Sequence, residues 1–376
     1  MSTTELLEVG PVVVGAGIVG LAVAAELAQR DLSPIVLERR SGPGRETSGR
    51  NSGVVHAGLY YPEGSLKARF CVRGKGLLEA FCAGDGIALR RLGKLVVATS
   101  DDEVPTLEAL ARRAMANGAE VELVDASRAR RLEPRVRAVA ALHSPTTGVV
   151  DVHELIKAFE GRVRGRGGEV LYRYTLIEAE AQGDGWALLL ETPDGGHERV
   201  WTPWVVNAAG LDSDRIAALL DDDRWSLHWC RGDYFSVPGG AARDVRGLIY
   251  PLPSNHGLGI HATIDLGGRL LFGPDTTYVP RNEAQADVDV KKAVSFRDAA
   301  ASFLPHVATV EFTPDTWGIR PKLQAPGGPF ADFVIAVGRA AVHLVGIESP
   351  GMTAAMAIAE EVSGRLDAAG LLSGSP

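Results

Sequence analysis

The chain has 376 residues, with 39 Lys and Arg against 47 Asp and Glu, a net charge of −8, and 45% hydrophobic residues. That length suits two to three domains of roughly 150 residues whose cores need no staples, and the acidic balance excludes a typical nucleic-acid binder, which carries a basic face. Three cysteines, Cys71, Cys82 and Cys230, form no CxxC pair, so neither a disulfide framework nor a metal site is expected, and a reducing, cytoplasmic setting fits.

The opening MSTTELLE lacks the basic region of a signal peptide. The longest apolar stretch, Pro11 to Ala25, is broken by three glycines and is too short to cross a bilayer, so no transmembrane segment is expected. Val12-Val13-Val14 reads as a buried parallel strand. It runs into Gly15-Ala16-Gly17-Ile18-Val19-Gly20, a predicted helix from Leu21 to Arg30, and a second strand, Pro34 to Glu38. This is a βαβ unit with a right-handed crossover.

Ser41 to Gly58 reads as a loop rich in Gly, Ser, Asn and Arg. Helices are predicted over Leu66–Cys82, Val104–Asn117 and Val152–Arg166, with a strand at Lys94–Ala98. A β-meander is expected from Glu169 to Glu191, turning at Gly183-Asp184-Gly185, and Trp204 to Gly210 is strand-like. Leu227 to Phe272 reads as an antiparallel sheet with turns at Pro238-Gly239-Gly240 and Gly267-Gly268. A helix over Val288–Phe303 precedes a strand, Val342–Val345, the turn Gly346 to Gly351, and a helix from Met352 to Leu366. A nucleotide-binding domain completed by distant segments follows from this order.

The glycines of Gly15-x-Gly17-x-x-Gly20 sit where a dinucleotide fingerprint needs them. The first makes a tight turn, the second admits a pyrophosphate, and the third lets the helix, whose N-terminus attracts anions, pack on the strand. Glu38 ends the next strand, where it is placed to bind a ribose hydroxyl pair, and an acid there disfavours a 2′-phosphate. FAD or NAD is therefore preferred over NADP. Ile18, Val19 and Arg39 join these cofactor candidates. Thr47, Ser48, Asn51, Ser52, Gly53 and Val54 would close over a pyrophosphate and flavin. The C-terminal Gly346-Ile347-Glu348-Ser349-Pro350-Gly351, followed by Met352 and Thr353, presents a second helix start to negative charge on a reduced flavin.

Gly49 to Tyr61, continuing Gly64-Ser65-Leu66-Lys67-Ala68, resembles the signature of the L-2-hydroxyglutarate dehydrogenase/oxidase family, a branch of the glycine/D-amino-acid oxidase (DAO) superfamily of flavoproteins. Val206-Asn207-Ala208-Ala209-Gly210-Leu211, Leu248-Ile249-Tyr250-Pro251, Leu258-Gly259-Ile260-His261, Gly318-Ile319-Arg320-Pro321-Lys322 and Gly346 to Gly351 agree in the same order. The chain departs from the pattern at Arg50, where a histidine is expected, and at Asp275, where Asn is common.

The resemblance implies an α/β chain (α+β overall): a Rossmann-like FAD-binding domain with an inserted antiparallel-sheet substrate domain. The expected boundaries are 1–95, 145–225 and 320–376 for the first, and 96–144 and 226–319 for the second. It adds Ala209 and Gly210 to the cofactor residues and implies non-covalent FAD. The implied reaction is oxidation of an L-2-hydroxy acid, L-2-hydroxyglutarate leading, with hydride transfer to flavin N5. Oxygen or a quinone-type compound would take up the electrons. An amine or amino-acid oxidase on the same scaffold is the alternative, and a non-catalytic dinucleotide-binding protein a further one.

Histidine is the natural base for the hydroxyl proton, and His56 and His261 lie in matched motifs. Arg320 matches the position that clamps the substrate carboxylate in related oxidases. Lys322, two residues on, and Arg50 are candidates for a second carboxylate. Tyr60 and Tyr250 are candidate pocket hydroxyls. No metal ligands are expected.

Overall fold

The computed structural model describes residues 6–253, 259–284 and 286–372. The chain divides into two compact units: Met1–Gly49, Val152–His228 and Pro321–Pro376 form the first, and Arg50–Asp151 and Trp229–Arg320 the second.

In the first unit, Val12–Val14 pairs in parallel with Ile35–Glu38, Val12 facing Ile35, and helix Ile18–Ala28 makes the crossover. That helix buries Leu21, Val23, Ala24 and Leu27 around its whole circumference, the pattern of a helix enclosed on all sides. Val205–Asn207 pairs in parallel with Val12–Val14 and with Ala341–Val345, while Val334–Gly338 joins antiparallel at the edge. Helix Gly351–Ala368 packs against Ile18–Ala28. The unbroken apolar runs of these strands are what a sheet covered on both faces demands.

The expected meander from Glu169 to Glu191 is corrected. Glu169–Tyr172 pairs in parallel with Ile35–Glu38, placing Val170 and Leu171 beside Val36 and Leu37. Arg173, at a φ of 64°, then turns the chain away. Thr175–Gln182 and Gly185–Glu191 form the hairpin of a separate four-stranded sheet with His197–Thr202 and Leu7–Glu8.

The second unit is a large, mainly antiparallel sheet in the order Thr277–Tyr278, His228–Ser236, Leu270–Phe272, Ala262–Ile264, Leu248–Pro251, Lys94–Ala98, Ala140–Ser144, Glu122–Asp125. Thr313–Lys322 pairs with His228–Ser236 off that path. Leu248–Pro251 and Lys94–Ala98 run parallel. One face buries Phe235, Phe272, Phe303 and Ile249, and the other buries Leu107, Leu110, Leu142 and Leu248.

The units differ from the sequence boundaries because residues 50–95 and 145–151 belong with this sheet. Val54–Val55 and Leu89–Arg91 both pair with Gly148–Val150, and Lys94–Ala98 lies in the middle of the large sheet. The helix expected over Val288–Phe303 is shorter, Ala293–Ala301, after a 3-10 turn at Val290–Lys292. Among the described residues, no helix is long and apolar enough to cross a membrane.

Candidate functional site

The dinucleotide fingerprint folds as a close-fitting turn in the first unit. Gly15 has a φ of +108°, and a Cβ there would stand 2.5 Å from the carbonyl oxygen of Ala208. A Cβ on Gly20 would strike the Gly15 carbonyl, so glycine is required at both positions. Gly17 precedes the helix without a side-chain cap, and Ser48 Oγ instead accepts the Ile18 N–H at 3.0 Å. Glu38 is 9% exposed; its Oε2 accepts the Ala16 N–H at 3.0 Å and its Oε1 the Arg40 N–H at 2.7 Å. The carboxylate is thereby fixed against the turn, with lone pairs to spare for a sugar diol. A cradle without Cβ atoms, a helix start and a rigid acid suit the adenosine and pyrophosphate of a dinucleotide.

Ala209 and Gly210 follow Ala208, whose backbone walls this turn. Arg39, a cofactor candidate, pairs with Asp212 at 2.6 Å and with Glu46 at 3.5 Å. Thr47 opens a short 3-10 turn that carries Ser48 to the helix start. Val19 lies in the first turn of that helix.

The second candidate helix start lies in the same unit. Gly346 has a φ of +71°, and a Cβ there would meet the Leu323 side chain. The Glu348 N–H donates to the Gly346 carbonyl, closing the turn ahead of Ser349 and Pro350. Gly351–Ala368 then begins without a side-chain cap, with Met352 and a buried Thr353 in its first turn. Lys322 Nζ lies 3.5 Å from Glu348 Oε2, and both side chains are largely buried. Lys322 thus has Glu348 as its counter-charge. The preceding Ile347 side chain packs within reach of Gly351.

Asn51, Ser52, Gly53 and Val54 belong to the second unit. Asn51 Oδ1 accepts the Gly53 N–H at 2.7 Å, which fixes the loop before the buried strand Val54–Val55. Arg50, also expected at the substrate, is exposed and lays its guanidinium 4.0 Å above the centre of the Trp317 ring.

The remaining candidates converge within the second unit. His261 is 6% exposed, and its ring stacks on Tyr250 at 3.8 Å. Its Nδ1 lies 2.9 Å from the Gly259 carbonyl oxygen. A carbonyl only accepts, so Nδ1 carries the proton and Nε2 is left as an acceptor. Burial, with the charges of Lys94 and Arg320, pushes the imidazole down to about 3. His56 is half-buried and held well below its ordinary value by burial, Lys94 and His261. Both rings are neutral at neutral pH and can accept a proton.

Arg320 has one edge of its guanidinium engaged by backbone carbonyls. Its Nε donates to the Cys230 carbonyl at 3.3 Å, and its Nη2 donates to the carbonyls of Arg231 at 3.2 Å and Asp275 at 2.8 Å. None of these three bonds uses Nη1. Asp275, which stands where Asn is common in the family pattern, is paired with a cation: Lys292 Nζ bonds its Oδ2 at 2.7 Å and Asp233 Oδ2 at 2.6 Å. Asp233 also pairs with the buried Arg231 at 2.7 Å.

Lys94 went unrecognised in the sequence. It opens a strand of otherwise apolar residues, and only the fold reveals that it is 2% exposed and 4.0 Å from the centre of the Tyr250 ring. Tyr60, expected as a pocket hydroxyl, leaves its buried Oη without a hydrogen-bond partner among the described residues. Leu258 of the matched motif lies outside the described residues. Among those described, no group of three or more acids, histidines and cysteines could hold a metal ion, and the three buried cysteines form no disulfide.

Residues 12–365 match the DAO family, described as FAD dependent oxidoreductase. The chain is 34% identical to "L-2-hydroxyglutarate dehydrogenase, mitochondrial" of Arabidopsis thaliana, over 95% of this chain and 83% of that protein. It is 28% identical to L-2-hydroxyglutarate dehydrogenase of Escherichia coli (strain K12), over 93% of this chain and 91% of that one. Among solved structures, dithionite-reduced L-alpha-glycerophosphate oxidase from Mycoplasma pneumoniae, with FAD bound, is similar at a TM-score of 0.85 and 26% identity, covering 95% of this chain and 94% of that one.

Proposed function

The chain belongs to the DAO family of FAD-dependent oxidoreductases, and on that premise we propose that it oxidises L-2-hydroxyglutarate to the 2-oxo acid. The observation that carries this reading is the pair of neutral imidazoles, His56 and His261, in the unit that also holds the Arg320 guanidinium, whose charge acts on His261. The identity with L-2-hydroxyglutarate dehydrogenases along nearly the whole chain supports the choice of substrate.

FAD, when bound, supplies the acceptor for the hydride that leaves C2. The chain's own groups do the rest. Arg320, held by three carbonyls, offers Nη1 to the carboxylate next to C2 and so fixes which face of the carbon is presented. One of the two imidazoles takes the hydroxyl proton as the C=O bond forms; for His261 the accepting atom is Nε2. On the cofactor side, Gly15, Gly17, Gly20, Ser48 and Glu38 would hold the adenosine and pyrophosphate, and the Gly351 helix start would favour negative charge on the flavin. The same reading takes oxygen or a quinone-type compound as electron acceptor and the cytoplasm as setting.

Anaerobic mixing of the yellow protein with a panel of acids tests it. L-2-hydroxyglutarate bleaches the flavin band and yields the 2-oxo acid, whereas bleaching by an amino acid with release of ammonia overturns the proposal.

A further inference from the structure

Lys94 stands in the parallel pair opposite Leu248, and Val96 opposite Tyr250, so these four side chains share one face of the large sheet. That face is packed with Leu107, Leu110 and Leu142. No carboxylate pairs with the Lys94 ammonium among the described residues; its neighbours are the rings of Tyr250 and Tyr60, at 4.0 and 5.6 Å. A buried cation without a counter-charge is costly, and an arriving anion relieves that cost. The unpartnered Tyr60 hydroxyl lies in the same place. The charges of Lys94 and Arg320, from different strands, both act on His261.

We propose that Lys94 Nζ binds the second carboxylate of a 2-hydroxy dicarboxylate, while Arg320 holds the carboxylate beside the reacting carbon. This rests on the substrate reading above and replaces Lys322 and Arg50 as the distal cation. Two cations about one imidazole match a substrate with carboxylates on either side of its hydroxyl carbon. The distal contact is a charge-assisted hydrogen bond in an apolar setting.

The ammonium is also the group about Lys94 that titrates near neutrality. Burial draws it down to about 7. Of the groups facing it, Cys71 is pushed up to about 12, Tyr60 and Tyr250 are raised by burial, and His56 and His261 are lowered.

The test is anaerobic flavin reduction of the FAD-loaded enzyme by L-2-hydroxyglutarate and by L-2-hydroxyvalerate, a monocarboxylate of the same length. The readout is the ratio of their second-order rate constants. In Lys94→Met the ratio falls by about 10- to 100-fold, the scale of one charge-assisted hydrogen bond, and Lys94→Arg retains most of it. In the wild type the ratio declines about five- to tenfold from pH 6.5 to 8, as the ammonium loses its proton; in Lys94→Met it is flat. If Lys94→Met does not fold, Lys94→Arg and the wild-type pH profile decide. A ratio unchanged by substitution, or independent of pH in the wild type, overturns the role of Lys94. A wild type with no preference for the dicarboxylate overturns the substrate reading itself.

Discussion

The imidazole of His261 lies on the ring of Tyr250, with centroids 3.8 Å apart and planes 18° from parallel. With Nδ1 tied to Gly259, the stack leaves the ring little freedom to turn. Replacing the base among His56 and His261 by Asn should slow anaerobic flavin reduction by about 10²–10⁴, with the protein still yellow. Similar small losses in both variants would remove imidazole base catalysis.

The pH profile carries a sign. The His261 imidazole is lowered to about 3, so the base is already deprotonated throughout the neutral range. Reduction by a monocarboxylic hydroxy acid should therefore show no histidine limb between pH 5 and 8. Stability follows the same sign. The unfolded ring protonates below about 6.5 and the folded ring resists, so stability should fall as pH drops from there toward 3. An acid limb near 6.5 in the reduction rate would show that the base is exposed to solvent.

Glu38 is fixed to the fingerprint turn through the Ala16 N–H, and the proposed role of its free lone pairs is to bind the ribose. Glu38→Ala should weaken FAD binding by about 1–3 kcal/mol, the scale for hydrogen bonds to a charged group. It also releases the Ala16 and Arg40 N–H groups, so Glu38→Gln should lose less. Flavin fluorescence during titration of the apoprotein measures both. Acid precipitation should leave free FAD in the supernatant; flavin retained in the pellet would mark a covalent link.

Lys292 holds two carboxylates together, Asp233 at 2% exposure and Asp275 at 19%. Lys292→Met leaves Asp275 without its cation, beside an Asp233 that keeps only Arg231. Removing one partner of a buried pair costs about 3–5 kcal/mol; at 29% exposure of Lys292 the loss should lie at the low end. Denaturant midpoints at constant slope check it. Because Asp275 also accepts from Arg320 through its carbonyl, the variant should raise the KM for every hydroxy acid.

Sequence patterning reached the parts of the fold governed by local rules. The Val12 strand, its glycines, Glu38 and the last helix were legible because a dinucleotide turn leaves little choice of residue. The parallel pairing of Glu169–Tyr172 was not, since its partner lies some 130 residues upstream and nothing in Val170-Leu171 marks direction. Residue type alone did not reveal the neighbours of Lys322 and Arg50, which are Glu348 and the Trp317 ring. Lys94 escaped notice for another reason: a lysine at a strand end usually reaches water, whereas the fold buries this one with its ammonium 4.0 Å from the centre of the Tyr250 ring.

The strand Ala341–Val345 lies inside the parallel sheet, between Val205–Asn207 and the edge strand, and the helix after it packs on Ile18–Ala28. A nascent chain can therefore form its N-terminal fingerprint early on the ribosome, but the sheet around it stays open until residues 341–368 emerge. Tight loading of the flavin then waits for residues 341–368, and a chain interrupted before residue 341 would be released colourless.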